Sequence, residues 1–223
     1  MKAKTFLTLD TETVGLKPVN YVYDLAYTIH DRKGNIAAER SFLVRDIITD
    51  ADKMMGAFYA KKIFNFYIPA LDAGEIALHS WSDIVATIRS DISKHGVDVF
   101  NAYNARFDMG AIAATNGLLA SGKVLQKPVD ILCLWTFACA TLLNRPTYKN
   151  LARAQGWVSE AKNFRTTAEH TYRYISGDYD FIEGHTALSD ARIETEIFAA
   201  CMRQRKPIPY NHIPAMPWQI PNR

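Results

Sequence analysis

The chain has 223 residues, of which 48% are hydrophobic and 12% aromatic, so it can bury a core and is not intrinsically disordered. Its 26 basic and 23 acidic side chains leave a formal net charge of +3, which is too small to establish a polyanionic partner. No stretch approaches the ~20 consecutive apolar residues that span a bilayer, so we expect a cytoplasmic protein with no membrane segment.

The first part of the chain predicts three strands. Alternating sequence rich in Leu and Thr indicates a strand at residues 5–11, and strand-like runs follow at 21–30 and 36–44. Residues 31–35 join the last two strands as a polar loop that contains Gly34, which is typical of a hairpin. The chain therefore starts as an antiparallel meander.

From residue 52 onward, helical and strand patterns alternate. The spacing of apolar residues predicts helices at 52–70, 81–95, 107–119, 132–143, 149–156 and 187–205, and strands at 97–102 and 128–132. This order predicts an α/β domain with a mixed five-stranded sheet, its first three strands antiparallel, flanked by helices. We expect one domain over residues 1–206, with a helical insertion at 45–80, followed by a proline-rich tail at 207–223.

Cysteine usage and local charge add two expectations. Cys133, Cys139 and Cys201 have no metal-type spacing, which predicts buried thiols in a reducing compartment. Residues 145–173 hold six basic and two acidic side chains. Such a basic stretch beside an acidic site suits a polyanionic substrate, and the alternative is an ordinary solvated surface.

Two segments place carboxylates where they need compensation. Asp10 and Glu12 lie two residues apart at the end of the first strand, so both project from one face and repel each other without a cation or proton. Asp108 shares a helix face with the apolar residues Ala111 and Ile112. The alternative for Asp108 is a helix cap.

A third carboxylate, Asp190, lies in line with Ile193 and Ile197 on the last predicted helix. An uncompensated buried carboxylate costs several kcal/mol, so Asp190 needs a metal, a basic partner or a proton. His185 precedes it by five residues, or ~140° around a helix, so the two converge only if His185 lies in the loop before the helix. Four acids and a histidine could thus meet at one end of the sheet, where hard oxygen ligands select two Mg²⁺ or Mn²⁺ ions and suit phosphoryl chemistry.

Three sequence blocks make a family resemblance visible: LDTETVG at residues 9–15, NARFD at 104–108 and HTALSDA at 185–191. In this order they resemble the motif blocks of the DEDDh group of DnaQ-like 3′→5′ exonucleases, which have an RNase H-like fold. Residues 148–156 match the family more weakly. The sister group carries tyrosine four residues before the last Asp, and this chain has Thr186 there.

The resemblance implies a role for each matching residue. Asp10 would contact both metal ions, Asp190 the ion that holds the attacking water, and Asp108 the second ion. Glu12 would help to bind an ion and the terminal 3′-hydroxyl. His185 would be the general base, a task that suits its near-neutral pKa. The products would be nucleoside 5′-monophosphates.

The same resemblance implies contacts to the terminal nucleotide from Thr13, Leu16, Asn104 and Phe107. The partner would be the 3′ end of a single strand of DNA or RNA, and the sugar preference stays open because it depends on contacts to one 2′-hydroxyl. A small nuclease of this kind would come from a bacterium or a phage-infected host.

Several alternatives remain open from the sequence. The chain could be a free-standing exonuclease, a proofreading subunit tethered to a polymerase, or a non-catalytic relative that binds nucleic acid. The aromatic insertion, which contains Lys61 and Lys62, either clamps unpaired bases or buries its apolar face as core or in a homodimer. The tail either docks on a polymerase or other partner or packs back on the body.

Overall fold

The computed structural model describes residues 4–15, 19–55, 57, 60–119, 124, 129–216 and 219–220. Its strands form one six-stranded sheet in the order β4-β3-β2-β1-β5-β6. The strands are β1 (Thr5–Val14), β2 (Tyr21–His30), β3 (Ile36–Val44), β4 (Leu78–His79), β5 (Val97–Ala102) and β6 (Asp130–Cys133). The first three strands are antiparallel, and β4, β5 and β6 pair in parallel with their neighbours.

The predicted mixed sheet with an antiparallel start is confirmed, with two differences. The sheet has six strands rather than five, because the two-residue strand β4 is added at one edge and is too short to leave a periodic signal. Strand β1 also continues past its predicted end to Val14, because its pairing with β2 resumes after a register shift between Glu12 and Thr13. Asp10 and Glu12 therefore lie within the strand rather than at its end.

The helices cover both faces of this sheet. They are α1 (Arg45–Ile48), α2 (Ala51–Met54), α3 (Ala60–Lys62), α4 (Ile68–Asp72), α5 (Trp81–His95), α6 (Ala105–Leu119), α7 (Leu134–Ala138), α8 (Pro146–Ala154), α9 (Ala168–Ser176) and α10 (Ala187–Arg203). Helix α9 was not predicted, although Thr167 caps its start by accepting from the backbone N–H of His170 and Gly177 ends it in the left-handed conformation. These two residues are the signal that sequence analysis missed.

The predicted single helix at 52–70 is wrong. Helix α2 ends at Met54, and a second helical run begins at Ala60 and passes through a π-helical turn, Ile63–Tyr67, into α4. Two tertiary contacts hold this turn, because the Tyr67 hydroxyl donates to Asp24 at 2.7 Å and Lys62 donates to the backbone of the distant Gly184. The local apolar pattern contains no information about either contact.

Two apolar clusters form the core, one on each face of the sheet. Successive residues of β1 point to opposite faces, so Leu7 belongs to the cluster with α5 and α6, whereas Phe6 belongs to the cluster with α7 and α10. Asp10 and Glu12 alternate in step with Phe6, on the face that α10 covers. The sheet therefore presents both carboxylates toward the start of α10.

The described part of the tail, residues 207–216 and 219–220, packs on the body. Asn211 donates its backbone N–H to the Ile131 carbonyl at 2.7 Å, and its side chain accepts from the Ile131 N–H at 2.9 Å. Ile220 is buried, and Tyr210 packs against the same cluster. These contacts favour the packed-back alternative for the described tail residues.

None of the helices in the described ranges is long and apolar enough to cross a membrane. Cys133, Cys139 and Cys201 are buried free thiols, as predicted.

Substitution of Phe198 tests how much this packing contributes to stability. Phe198 is fully buried, 4.5 Å from the Phe6 ring and 4.9 Å from the His30 ring, so it joins α10 to the sheet. We expect Phe198→Ala to lower the free energy of unfolding by about 3–5 kcal/mol, through lost burial and a cavity. Phe64→Ala is the matched control because Phe64 is 70% exposed, and it should change stability by less than about 0.5 kcal/mol. If urea unfolding showed that Phe198→Ala and Phe64→Ala lower the free energy of unfolding equally, this view of the core would be contradicted.

Candidate active site

An open cleft of about 440 Å³ lies where β1 meets the first turns of α6 and α10. It is lined by all five residues that the sequence nominated for catalysis: Asp10, Glu12, Asp108, His185 and Asp190. These residues come from a strand, two helices and a loop that are far apart in sequence. The structure therefore brings the predicted set together in one place.

Asp108 lies in the first turn of α6. Its face of the helix is buried, as predicted, together with Ala111 and Ile112. The helix already begins at Ala105, so Asp108 is not its N-cap. The hydroxyl of Thr11 donates to the Asp108 Oδ1 at 2.8 Å and ties this carboxyl to β1.

Asp190 occupies the first turn of α10, whose buried stripe continues through Ile193 and Ile197 as predicted. Thr186 is the N-cap of this helix. The Ser189 hydroxyl lies 2.8 Å from the Asp190 Oδ1 and donates to it. Asp190 is thus held by its own helix start, on the sheet face that carries Asp10 and Glu12.

His185 lies in the loop directly before α10, as its convergence with Asp190 requires. Its backbone has a φ of 50°, the left-handed region that residues other than glycine rarely adopt. One ligand atom from each of Glu12, His185 and Asp190 lies within 4.8 Å of the others. The Nδ1 of His185 faces the Oε2 of Glu183 at 3.7 Å.

The donor set fits divalent cations. Glu12, His185 and Asp190 are close enough to share one ion, and Asp10 and Asp108 line the same cleft. Carboxylate oxygens with one imidazole are ligands that Mg²⁺ and Mn²⁺ accept. The donors show that a cation fits here, and they do not by themselves select which one.

The pKa values of these acids indicate the same need for positive charge. Removal from water is the main cause, and it raises the pKa of Glu12 to about 8, of Asp108 to about 7 and of Asp190 to about 6. The nearby Asp190 raises the pKa of Glu12 further. The pKa of Asp10 is also raised, by burial of its carboxyl and then by the charge of Glu194. A bound cation would favour the ionised forms.

Two acids of the cleft were not nominated from the sequence. Glu194 is buried one helical turn after Asp190, and its Oε2 accepts from the Tyr103 backbone N–H at 3.1 Å. Its place four residues after Asp190 on the buried stripe was a visible signal. Glu183 also lines the cleft, and burial followed by the charge of Asp190 raises its pKa to about 8.

Asp24 lies on strand β2, next to the strand that carries Asp10 and Glu12. It is the partner of Glu12 across the β1–β2 ladder and is buried. Its Oδ2 accepts from the Tyr67 hydroxyl at 2.7 Å and from the Ala187 backbone N–H at 3.1 Å. Its Oδ1 has no hydrogen-bond partner among the residues that the structure describes.

Lys62 reaches the same place from the insertion. Its Nζ donates to the Gly184 carbonyl at 2.6 Å and to the His185 carbonyl. Partial burial lowers the pKa of Lys62, while the charges of Glu12 and Asp190 oppose that shift. No sequence signal links these positions, because Lys62 and His185 are 123 residues apart.

Three of the four predicted substrate contacts line the cleft: Thr13, Asn104 and Phe107. Phe107 is 40% exposed, so part of it is open to solvent in the cleft. Leu16 lies outside the described residues. The basic stretch at 145–173 reaches the cleft only through Thr167 and Ala168 among the described residues.

Comparison with solved structures identifies the fold. No protein-family model matches the chain, and no curated protein matches it in sequence. E. coli exonuclease I in complex with a 5cy-dT13 oligonucleotide is 15% identical, with 92% of this chain and 41% of that chain covered and a TM-score of 0.55. The zinc-bound form of the same enzyme with single-stranded DNA is 16% identical, with 92% and 41% covered and a TM-score of 0.54. Exonuclease X with 5′-overhanging duplex DNA is 17% identical, with 89% and 91% covered and a TM-score of 0.44.

The mixed sheet with helices on both faces is thus similar in fold to exonuclease I, and the chain spans about two fifths of the length of that protein.

The raised pKa of Glu12 predicts how stability depends on pH in EDTA. The folded-state pKa of about 8 lies above the ordinary 4.5, so the folded chain keeps a proton that the unfolded chain releases. This contribution is lost as pH rises through 8. We expect the melting temperature of the wild type to fall more between pH 7 and 9 than that of Glu12→Gln, which cannot ionise. A difference of 1 kcal/mol corresponds to roughly 2–4 °C for a chain of this size. If calorimetry gave parallel curves of melting temperature against pH for the two proteins, the raised pKa of Glu12 would be contradicted.

Proposed function

We propose that this chain is a metal-dependent 3′→5′ exonuclease of the DEDDh type that acts on single-stranded DNA or RNA. One observation carries the proposal: Glu12, His185 and Asp190 converge within 4.8 Å, in a cleft that Asp10 and Asp108 also line. The three sequence blocks that resemble this group supply all five residues. The fold of exonuclease I, known with a bound oligonucleotide, is compatible with such chemistry.

The histidine subtype rests on two neighbouring residues. Thr186 occupies the position where the sister group has tyrosine, and here it is the N-cap of α10 and is not among the residues that line the cleft. His185 stands just before it and lines the cleft. The imidazole is therefore the group available to take a proton.

The four acids would hold two divalent cations, Mg²⁺ or Mn²⁺: Asp10, Glu12, Asp108 and Asp190. When bound, such ions neutralise the charge of the scissile phosphate and lower the pKa of a water molecule. The acids are already paired with neighbours that fix their orientation, such as Thr11 for Asp108 and Ser189 for Asp190. Exonuclease I, which has the same fold, is known in a zinc-bound form with single-stranded DNA, and this supports a cation-dependent site.

His185 would act as the general base. Burial, and then the charge of Lys62, lower its pKa below the usual value, so the ring is neutral and able to accept a proton near pH 7. Its Nδ1 faces Glu183, which leaves Nε2 to take a proton from water. The water oxygen then bonds to phosphorus while the bond from phosphorus to the 3′-oxygen breaks. The terminal nucleotide leaves as a 5′-monophosphate, and the departing 3′-oxygen takes a proton from solvent water to become the new 3′-hydroxyl of the strand.

Thr13, Asn104 and Phe107 would hold the terminal nucleotide. All three line the cleft beside the acids, and the exposed ring of Phe107 offers a face on which a base can stack. Stacking of this kind is tolerant of sequence, which suits an enzyme that removes every nucleotide in turn.

Digestion of 5′-labelled single strands tests the proposal. We expect a ladder that shortens one nucleotide at a time, needs Mg²⁺ or Mn²⁺ and stops in EDTA, with 5′-monophosphates as products. Asp108→Ala should lower the rate by about 10³-fold, because a lost metal ligand removes several kcal/mol of transition-state stabilisation. The exposed Asp72 supplies the control, and Asp72→Ala should keep the wild-type rate. Parallel DNA and RNA substrates give the sugar preference, and no cleavage of either with any metal would sink the proposal.

A second measurement separates the base from the metal ligands. His185→Ala should lower kcat by about 10²–10⁴-fold, the usual effect of losing a general base, while Mn²⁺ affinity stays within a few-fold of the wild type. Asp190→Ala should lose both activity and Mn²⁺ affinity. Titration of each protein with Mn²⁺ beside single-turnover rates gives both quantities. An equal loss of turnover and Mn²⁺ affinity in His185→Ala would assign that residue to the metal site instead.

A further inference from the structure

The insertion at residues 45–80 contacts the candidate active site through Lys62. This residue ends α3, and its Nζ donates to two successive carbonyls, those of Gly184 and His185. Its neighbour Lys61 is exposed, so the two adjacent lysines differ in environment. The insertion is therefore connected to the loop that carries the proposed base.

The backbone of His185 needs such support. A φ of 50° is costly for a residue with a Cβ, and it persists only where the surroundings hold it. An ammonium group that binds the carbonyls of Gly184 and His185 restricts the two peptide planes that flank the Cα of His185. This conformation places the imidazole beside Glu12 and Asp190.

The other side of the same loop is anchored by α9. Arg173 donates from Nε to the Phe181 carbonyl at 2.7 Å and pairs with Glu169 at 3.0 Å. Glu169 in turn accepts from the Glu183 backbone N–H at 3.0 Å. The loop before α10 is thus held between α9 on one side and Lys62 on the other.

Lys62 is itself held in place by the π-helical turn that follows it. Tyr67, in that turn, is buried and donates to the Asp24 Oδ2 at 2.7 Å. The same oxygen accepts from the N–H of Ala187, two residues after His185. The insertion is therefore fixed to both sides of the loop-to-helix junction, by Lys62 before it and through Asp24 after it.

We propose that Lys62 is a positioning residue that holds His185 in its working orientation, which makes the insertion a part of the active site. The inference rests on the proposed function, because it assigns Lys62 an effect on a base. Its action through the backbone carbonyls of residues 184 and 185 distinguishes it from a lysine that attracts the strand or replaces a metal ion.

The test compares four proteins: the wild type, Lys62→Met, Lys61→Met and Lys62→Met combined with His185→Ala. Methionine keeps most of the apolar stem and removes the donors. We expect Lys62→Met to lower kcat by about tenfold or more with KM within about threefold, because small misplacements of a catalytic group are costly. Lys61→Met removes the same charge from the neighbouring position and should keep kcat within about twofold.

The double variant shows whether Lys62 acts through His185. If it does, Lys62→Met causes no further loss of residual activity in the His185→Ala background, because the group it positions is already gone. A full additional loss in that background would overturn the proposal and assign Lys62 to the metal or the strand. Equal kcat in wild type and Lys62→Met would overturn it as well.

A conservative variant keeps the test decisive if Lys62→Met proves unstable. Lys62→Arg retains charge and donors, so it should recover part of kcat at an unchanged melting temperature. Lys62→Arg that folds like the wild type yet loses as much kcat as His185→Ala would contradict positioning through the carbonyls. Absence of cleavage by the wild type would instead contradict the proposed nuclease function itself, so the two failures are distinguishable.

Discussion

The mutual repulsion of carboxylates at one end of the sheet is the constraint around which the molecule is organised. Six carboxyl groups line one cleft: Asp10, Glu12, Asp108, Glu183, Asp190 and Glu194. Partial removal from water makes each charge costly, and proximity makes the set costlier. Because of this cost, the pKa values of Glu12 and Asp108 are raised, so both carboxyl groups keep their protons to a higher pH. Bound cations would offset this repulsion, which fits the metal-dependent reaction that we propose.

Helices on both faces of β1 hold the carboxyl groups close together despite this repulsion. Helix α10 delivers Asp190 from one face and α6 delivers Asp108 from the other, each in the first turn of a long, well-buried helix. Short hydrogen bonds from Thr11 and Ser189 orient the two carboxyls. Core packing, through contacts such as Phe198 on Phe6, supplies the free energy that holds like charges together.

Lys62, in the predicted insertion at residues 45–80, connects this scaffold to the loop of His185. The single helix predicted at 52–70 is broken after Met54, and its second part contains a π-helical turn, a feature often found near functional sites. Here the turn allows Tyr67 to reach Asp24 while Lys62 reaches the loop of His185. The π-helical turn therefore has a structural role, and its exposed residues, such as Phe64, lie on a face that is open to solvent.

The sequence by itself predicted most of the strand and helix order, although not helix α9, and nominated the five residues of the cleft, because periodicity and motif spacing are local properties. It also indicated that His185 lies before α10, since five residues around a helix cannot place it beside Asp190. Only the tertiary structure decided the edge strand β4, the break in the insertion and the place of Lys62. These features depend on contacts between residues more than 30 positions apart, and 123 positions for Lys62 and His185, which leave no trace in local pattern.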